Sequence, residues 1–253
     1  MINPSPLPPL WAAPEISCAR AEPLAREIGT VLVDTLPARG QVLVLESNRL
    51  LFRLIGDHEL KGSLWVDFNT ARATRRSRQV GSELLVKAAR IRRVEQPLLI
   101  DATAGLGQDG FLLATHGFQV EMIEMNPVVA ALLADGLARA AEVEQLAEVV
   151  GRIQLHRGNS VERLASLTRK PHVIYLDPMF PERSKSAKVK QNLRLLQHLD
   201  AHTVSPEELL TTALATQAKK VVVKRPLKGP YLCDEKPSYS LKGKAVRFDV
   251  YLV

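Results

Sequence analysis

From Pro97 to Val253, short apolar runs alternate with stretches in which apolar residues recur every three or four positions. Strands show an apolar run or a period of two, whereas amphipathic helices repeat near 3.6 residues. On that basis Leu98–Asp101, Gln119–Glu124, Ile153–His156, Val173–Asp177 and Lys220–Lys224 are predicted strands. Between and after them, Asp109–Thr115, Val128–Ala141, Val161–Leu167, Val189–Leu199 and Pro206–Lys219 are predicted helices. Repeated β-α units require a mostly parallel sheet covered by helices on both faces. Val246–Val253 alternates with period two, which predicts an antiparallel C-terminal strand and so a mixed sheet.

The first 95 residues follow a different pattern. Val31–Val33, Gln41–Leu45 and Leu50–Leu54 are short β-branched or leucine runs, and Glu46-Ser47-Asn48-Arg49 reads as a hairpin turn. Leu64–Phe68 would place Leu64, Val66 and Phe68 on one face of a further strand. With one helix around Cys18–Ile28, this predicts a small antiparallel α+β subdomain behind a proline-punctuated arm, Met1–Pro9. Thr70–Arg78 then carries Arg72, Arg75, Arg76 and Arg78 with no acid. A helix should follow from Ser82, with Glu83 in its first turn and Lys87, Arg90, Arg92 and Arg93 toward its end, the polarity a helix dipole favours. The expected division is residues 1–95, a small N-terminal subdomain with the basic segment and connecting helix, and residues 96–253, the α/β domain.

Composition narrows the setting. With 46% hydrophobic and 24% charged residues, the chain can bury a sizeable core. Thirty-four Lys and Arg against 27 Asp and Glu give a net charge of +7, which favours a polyanionic partner. Cys18 and Cys233 are far apart, which fits a reducing cytosol better than a disulfide framework. No apolar run approaches the roughly 18 residues of a membrane span, and the N-terminus lacks signal-peptide character. The six histidines show no ligand spacing, so no metal is expected.

The candidate chemistry lies where the predicted strands end. In an open parallel sheet, ligands bind beyond the carboxyl ends of the strands, where the strand order reverses. Asp101, Gly105, Gly107, Gln108 and Asp109 fall in the first such turn. Glycine there permits positive φ and close ligand approach, although a glycine-rich turn alone is a weak sign. No Gly-Lys-Ser/Thr follows, which argues against a P-loop. Asp101 and Asp109 suit a cation better than a pyrophosphate, and S-adenosylmethionine (SAM) is cationic and phosphate-free. Glu124 is placed to take ribose hydroxyls, and Asn159 with Ser160 to lie near an adenine ring. Asn126 and Pro127 read as a helix cap and first-turn proline.

Asp177-Pro178-Met179-Phe180 closes the fourth predicted strand. An exocyclic base amine is a poor nucleophile, because its lone pair is delocalised into the ring. The Asp177 carboxylate and the Pro178 carbonyl could bind its N–H groups and orient the lone pair, while Phe180 stacks the unstacked base. A turn after a buried strand is the plainer alternative, and Asp177 could equally serve the cofactor. Arg183, Lys185, Lys188 and Lys190 form a basic cluster expected on the same rim, and Lys219, Lys220, Lys224 and Arg225 follow; the expected RNA contacts are Arg72, Arg75, Arg76, Arg78, Arg183, Lys185, Lys188, Lys224 and Arg225.

These residues resemble a known family. Asp101-Ala-Thr-Ala-Gly-Leu-Gly-Gln-Asp109, Glu124-Met-Asn-Pro, Tyr175-Leu-Asp-Pro-Met-Phe-Pro181 and Val221-Val-Val-Lys-Arg-Pro226 look like the bacterial small-subunit ribosomal RNA methyltransferase J family. The resemblance covers essentially all of 97–253, with Val66-Asp67-Phe68 and the basic segment after it. It implies a class I Rossmann-like methyltransferase fold and SAM-dependent methylation of the exocyclic N2 of a guanine, conventional position 1516, in 16S ribosomal RNA. The 16S RNA or the 30S subunit would be the partner, in the cytoplasm. Cofactor contacts would fall on Gln108 with Asp109, Glu124 with Met125, Asn159 with Ser160, and Asp177. The chain departs from the family pattern at Gln108 and Met125, where arginine is usual, and at Asn159, where a small hydroxyl residue is. Two alternatives stand beside this reading: an amino-group methyltransferase for another RNA or DNA base, and a non-catalytic RNA-binding assembly factor.

Overall fold

The structure is a computed structural model, and it describes residues 7–57, 62–70, 80–178, 194–196, 199 and 204–253. By contacts the chain divides into two units. The first comprises Met1–Asp67, Asn126–Arg139 and Arg183–Thr203; the second comprises Phe68–Met125, Ala140–Glu182 and Val204–Val253. The division is therefore not a single cut near residue 95.

In the first unit, strands β1 (Leu10–Ala12), β2 (Leu32–Val33), β3 (Gly40–Leu45), β4 (Leu50–Ile55) and β5 (Ser63–Leu64) form one sheet in the order β2-β1-β3-β4-β5. The expected turn joins β3 to β4, with the Glu46 N–H donating to Arg49 O at 2.9 Å. The sheet is mixed rather than antiparallel, because β1 pairs in parallel with both β2 and β3. Leu10–Ala12 directly follows the proline-rich arm and is too short for its period to show, yet Leu10 is fully buried. Helix α1 (Cys18–Ile28) matches its prediction and ends on Gly29, which takes φ 80° as a left-handed cap. The ladder of β5 stops at Leu64, the first residue of the predicted strand, although Val66 is buried as its alternation requires.

The second unit carries the β-α pattern. Its strands are β6 (Leu98–Asp101), β7 (Gln119–Glu124), β8 (Ile153–Arg157), β9 (Val173–Leu176), β10 (Lys220–Pro226), β11 (Tyr239–Lys242) and β12 (Val246–Leu252). They form a seven-stranded sheet in the order β11-β12-β10-β9-β6-β7-β8, in which only β12 runs against its neighbours. This is the mostly parallel sheet with a reversed C-terminal strand that the alternation predicted. Its helices are α2 (Val80–Ala89), α3 (Gln108–Thr115), α5 (Glu144–Val150), α6 (Ser160–Ala165) and α7 (Pro206–Ala215), while α4 (Pro127–Ala141), which follows β7 in the chain, belongs as far as Arg139 to the first unit. In the first unit, residues 194–196 and 199 are helical, and the rest of the predicted 189–199 helix lies outside the described residues.

On one face of the sheet, Ile100, Ile174, Leu176 and Val223 pack with Leu164 of α6 and with Leu209, Leu210 and Ala213 of α7. Burial of such side chains contributes about 1.5–3 kcal/mol each. Helix α2 ends at Ala89, so Arg90, Arg92 and Arg93 follow it instead of closing its last turn. Arg93 adopts φ 59°, a left-handed backbone that cannot continue a helix. Helix α5 and strand β11 had no expectation. On β12 the polar positions are buried too. Arg247 pairs with Asp249 at 2.9 Å and donates to the carbonyls of Pro226, Leu227, Gly229 and Pro230, tying down the β10–β11 connection.

Candidate active site at the switch in strand order

From β6 the chain builds outward through β7 and β8, then returns to place β9 and β10 on the other side. The crevice between such diverging connections is where open sheets hold ligands. The turn leaving β6 is shaped by backbone bonds: Ala102 N–H donates to Tyr175 O (3.0 Å), Ala104 N–H to Ile123 O (3.1 Å) and Gly107 N–H to Ala104 O (2.8 Å). Gly105 and Gly107 take φ 53° and 72°, and a Cβ at Gly105 would meet nothing within 4 Å. Gly110, given no role in the sequence pattern, completes a Gly-x-Gly-x-x-Gly spacing. A Cβ there would lie 2.6 Å from Met122 Cε and 3.0 Å from Asp101 Oδ2, so it lets α3 lie against the strands.

Four carboxylates gather around this turn. Asp101 is 1% exposed and accepts the Thr103 N–H at 3.2 Å. Burial first, then the neighbouring Asp109, pushes its pKa up to about 8, with Asp177 and Glu124 adding to the rise. Glu124 Oε2 accepts the Gly105 N–H at 2.8 Å, so the acid ending β7 braces the glycine turn. Asp109 and Asp177 face a common cation: Lys224 Nζ lies 3.0 Å from Asp109 Oδ2 and 2.7 Å from Asp177 Oδ2. Burial works against the Lys224 charge, but Asp109 and Asp177 outweigh it and hold its pKa above the ordinary lysine value. The Tyr175 hydroxyl donates to Asp109 Oδ2 at 2.7 Å. Burial keeps this phenol neutral, and the Asp109 and Asp177 charges reinforce that. Thr103 Oγ1 accepts the Asp177 N–H at 2.6 Å, fixing the end of β9 to the glycine turn.

Asp101, Gly105, Gly107, Asp109, Glu124 and Asp177 are thus brought together around the β6 turn. Gln108 is exposed at the start of α3, and Met125 is half-buried beyond β7. Asn159 caps α6 by accepting the Val161 N–H at 2.8 Å. The Ser160 hydroxyl is buried and donates to Ala102 O at 2.5 Å, so it braces the β6 turn from below. Two basic positions expected along an RNA path are placed differently. Lys224 sits between the two carboxylates. Arg225 is 5% exposed, with its Nε donating to Pro230 O at 3.0 Å. The cause is the alternation of β10, which sends Lys224 and Arg225 to opposite faces of a covered sheet. Pro178 ends the described part of its motif. Met179, Phe180, Arg183, Lys185 and Lys188, like Arg72, Arg75, Arg76 and Arg78, lie outside the described residues. The Lys224 bridge is the feature sequence reasoning missed, and its signal was a cation directly after the apolar run Val221–Val223, level with the end of β9.

The sequence model of the SAM-dependent methyltransferase family matches residues 30–253. The ribosomal RNA small subunit methyltransferase J of Thioalkalivibrio sulfidiphilus is 43% identical over 237 residues, 92% of each chain. The chain belongs to the ribosomal RNA small subunit methyltransferase J family. The methyltransferase J of Neisseria gonorrhoeae is 40% identical over 232 residues, covering 90% of this chain and 91% of its own. The crystal structure of a SAM-dependent methyltransferase from Neisseria gonorrhoeae aligns with a TM-score of 0.79 at 36% identity, over 96% of this chain and 95% of that one.

The site's chemistry fits the cofactor that methyltransferase J membership implies. Asp109 and Asp177 on either side of one ammonium, with Glu124 beside the glycine turn and Asp101 buried beneath it, suit a ligand bearing an α-ammonium and a sulfonium better than a pyrophosphate. Among the described residues, no group of three or more His, Cys, Asp and Glu could hold a metal ion.

Proposed function

We propose that the protein methylates the exocyclic N2 of a guanine, position 1516, in 16S ribosomal RNA, working in the cytoplasm on the RNA or the 30S subunit. Bound at the switch in strand order, SAM supplies an electrophilic methyl on a sulfonium. The chain's own residues bind and orient. Asp101 and Asp109 would hold the methionine end, with Gly105 and Gly107 allowing close approach. Glu124 would take the ribose hydroxyls. Asn159 and Ser160, whose side chains serve the fold, would meet the adenine through their backbone. Gln108 and Met125 would border the pocket. Asp177 would accept an N–H of the amine beside the Pro178 carbonyl, with Phe180 as the stacking face.

The single observation that carries this reading is the placement of Asp177: it closes β9 at the switch point, and Lys224 and Thr103 hold it there. Acceptor groups fixed in this way act mainly by positioning, which can supply several kcal/mol of a barrier. The test is transfer of tritiated methyl to 30S subunits and to naked 16S RNA, followed by nucleoside analysis. Wild-type protein should yield N2-methylguanosine, and Asp177→Ala should abolish it while the protein stays folded. Wild-type turnover in that variant would sink the assignment. Label on adenine or another base would move the target while leaving the site.

A further inference from the structure

The sheet has a second chemically distinct edge. At the amino ends of β6 and β10, opposite the candidate active site, lies a groove of about 1550 Å³. Its lining includes Lys87, Arg90, Arg92, Arg93, Lys219 and Lys220 against one acid, Glu95. Arg90, Arg92, Arg93 and Lys219 are exposed. Lys220 is used differently: its ammonium donates to Ala88 O at 3.2 Å and to Arg90 O at 2.8 Å, closing the carboxyl end of α2. That tie and the left-handed backbone of Arg93, φ 59°, hold the arginine-bearing turn in one conformation. A rim organised in advance loses less conformational entropy when it pairs with a ligand.

We propose that this groove is a second RNA-binding surface that takes the phosphate backbone of the substrate RNA at a distance from the methylated base. Arginine presents a planar fork that pairs with phosphate oxygens, and a wide basic groove with one acid suits a chain of phosphates better than a single small anion. Lys220 in the groove and Lys224 in the active site are four residues apart on one strand, about 13 Å at 3.3 Å per residue. An RNA engaging both must therefore pass from one end of the sheet to the other. The proposal rests on the reading of the protein as a ribosomal RNA methyltransferase, and it places no part of the groove in the chemistry.

The experiment uses full-length protein in which Arg90, Arg92, Arg93 and Lys219 are all changed to Gln. Lys220 is left in place because it closes α2. Binding to protein-free 16S RNA is measured from about 50 to 200 mM salt, with SAM affinity and melting temperature as controls. Loss of four phosphate contacts should lower the slope of log K against log salt by roughly three and weaken binding at least tenfold. SAM affinity and kcat should be unchanged while KM for the RNA rises. Lys219→Gln alone should show about a quarter of the slope change, which keeps the test open if the fourfold variant is unstable. An unchanged slope and KM would overturn the proposal. Loss of affinity for 30S subunits but not for naked RNA would also overturn it, in favour of an acidic protein surface. Absence of methyl transfer by the wild type would instead defeat the methyltransferase reading, whatever the salt slope.

Discussion

At the scale of single residues, Lys224 and Asp101 decide the electrostatics of the site. Lys224 is the one cation within reach of both Asp109 and Asp177 among the described side-chain pairs. Charge-assisted hydrogen bonds of this kind contribute about 1.5–3 kcal/mol. Lys224→Met should therefore lower kcat roughly 10–100-fold. Without the ammonium, Asp177 protonates more readily, so the acid limb of the pH–rate profile should move to higher pH, and Lys224→Arg should restore it in part. Asp101 runs the other way. Its pKa of about 8 lies above the unfolded value near 3.9, so between those pH values the folded state holds a proton that the unfolded state releases. This contribution to stability is full at low pH, declines as pH rises through that window, and is flat above it. Asp101→Asn removes the titration and keeps an acceptor for Thr103. The melting temperature of the variant relative to wild type should therefore rise between pH 5.5 and 8.5. A constant difference would show that Asp101 is ionised in the fold at neutral pH.

Elements set the distances that these residues need. Helix α3 lies against β6 and β7 because Gly110 has no side chain, and Ala there gains about 1 kcal/mol of helix propensity. The contacts at 2.6 and 3.0 Å set an overpacking cost of about 1–3 kcal/mol against that gain. We expect Gly110→Ala to be less stable and to bind SAM more weakly, because the shift falls on Asp101. A melting temperature at or above wild type would refute this. Much at this scale was legible. The boundaries of α1, α3, α4 and the central strands follow from periodicity, since their apolar faces are long enough for the repeat to show. What was not legible were elements defined by their partners. Leu10–Ala12 is three residues long, and its strand character comes from pairing with Leu32–Val33 and Leu43–Leu45. The ladder of Leu64 ends early because pairing with β4 involves only Phe52 and Arg53.

For the whole molecule, strand order is the property that makes a site. Asp101, Glu124, Asp177 and Lys224 are spread over more than 120 positions of sequence, and the order β10-β9-β6-β7 puts their strand ends side by side. A ligand that binds only this folded arrangement stabilises it by mass action, about 2.7 kcal/mol at a hundred times its Kd. SAM at that excess should raise the melting temperature by roughly 5–10 °C for a chain of this size, and NAD should not. Equal shifts with both would mean that the carboxylates do not select for a cationic ligand.

By itself, the sequence determined the alternation of strands and helices, the glycine turn with its acids, and the Asp-Pro motif at a strand end. Each of these is local, carried by the period or spacing of neighbouring residues. It also determined an excess of positive charge, but not where that charge acts. Tertiary structure alone decided that Lys224 turns into the site and Arg225 into the interior. It alone decided that Ser160 serves the glycine turn, and that Arg90, Arg92, Arg93 and Lys219 line one groove. The physical reason is the same in each case. The direction and worth of a polar side chain depend on what faces it, and those facing groups come from distant parts of the chain.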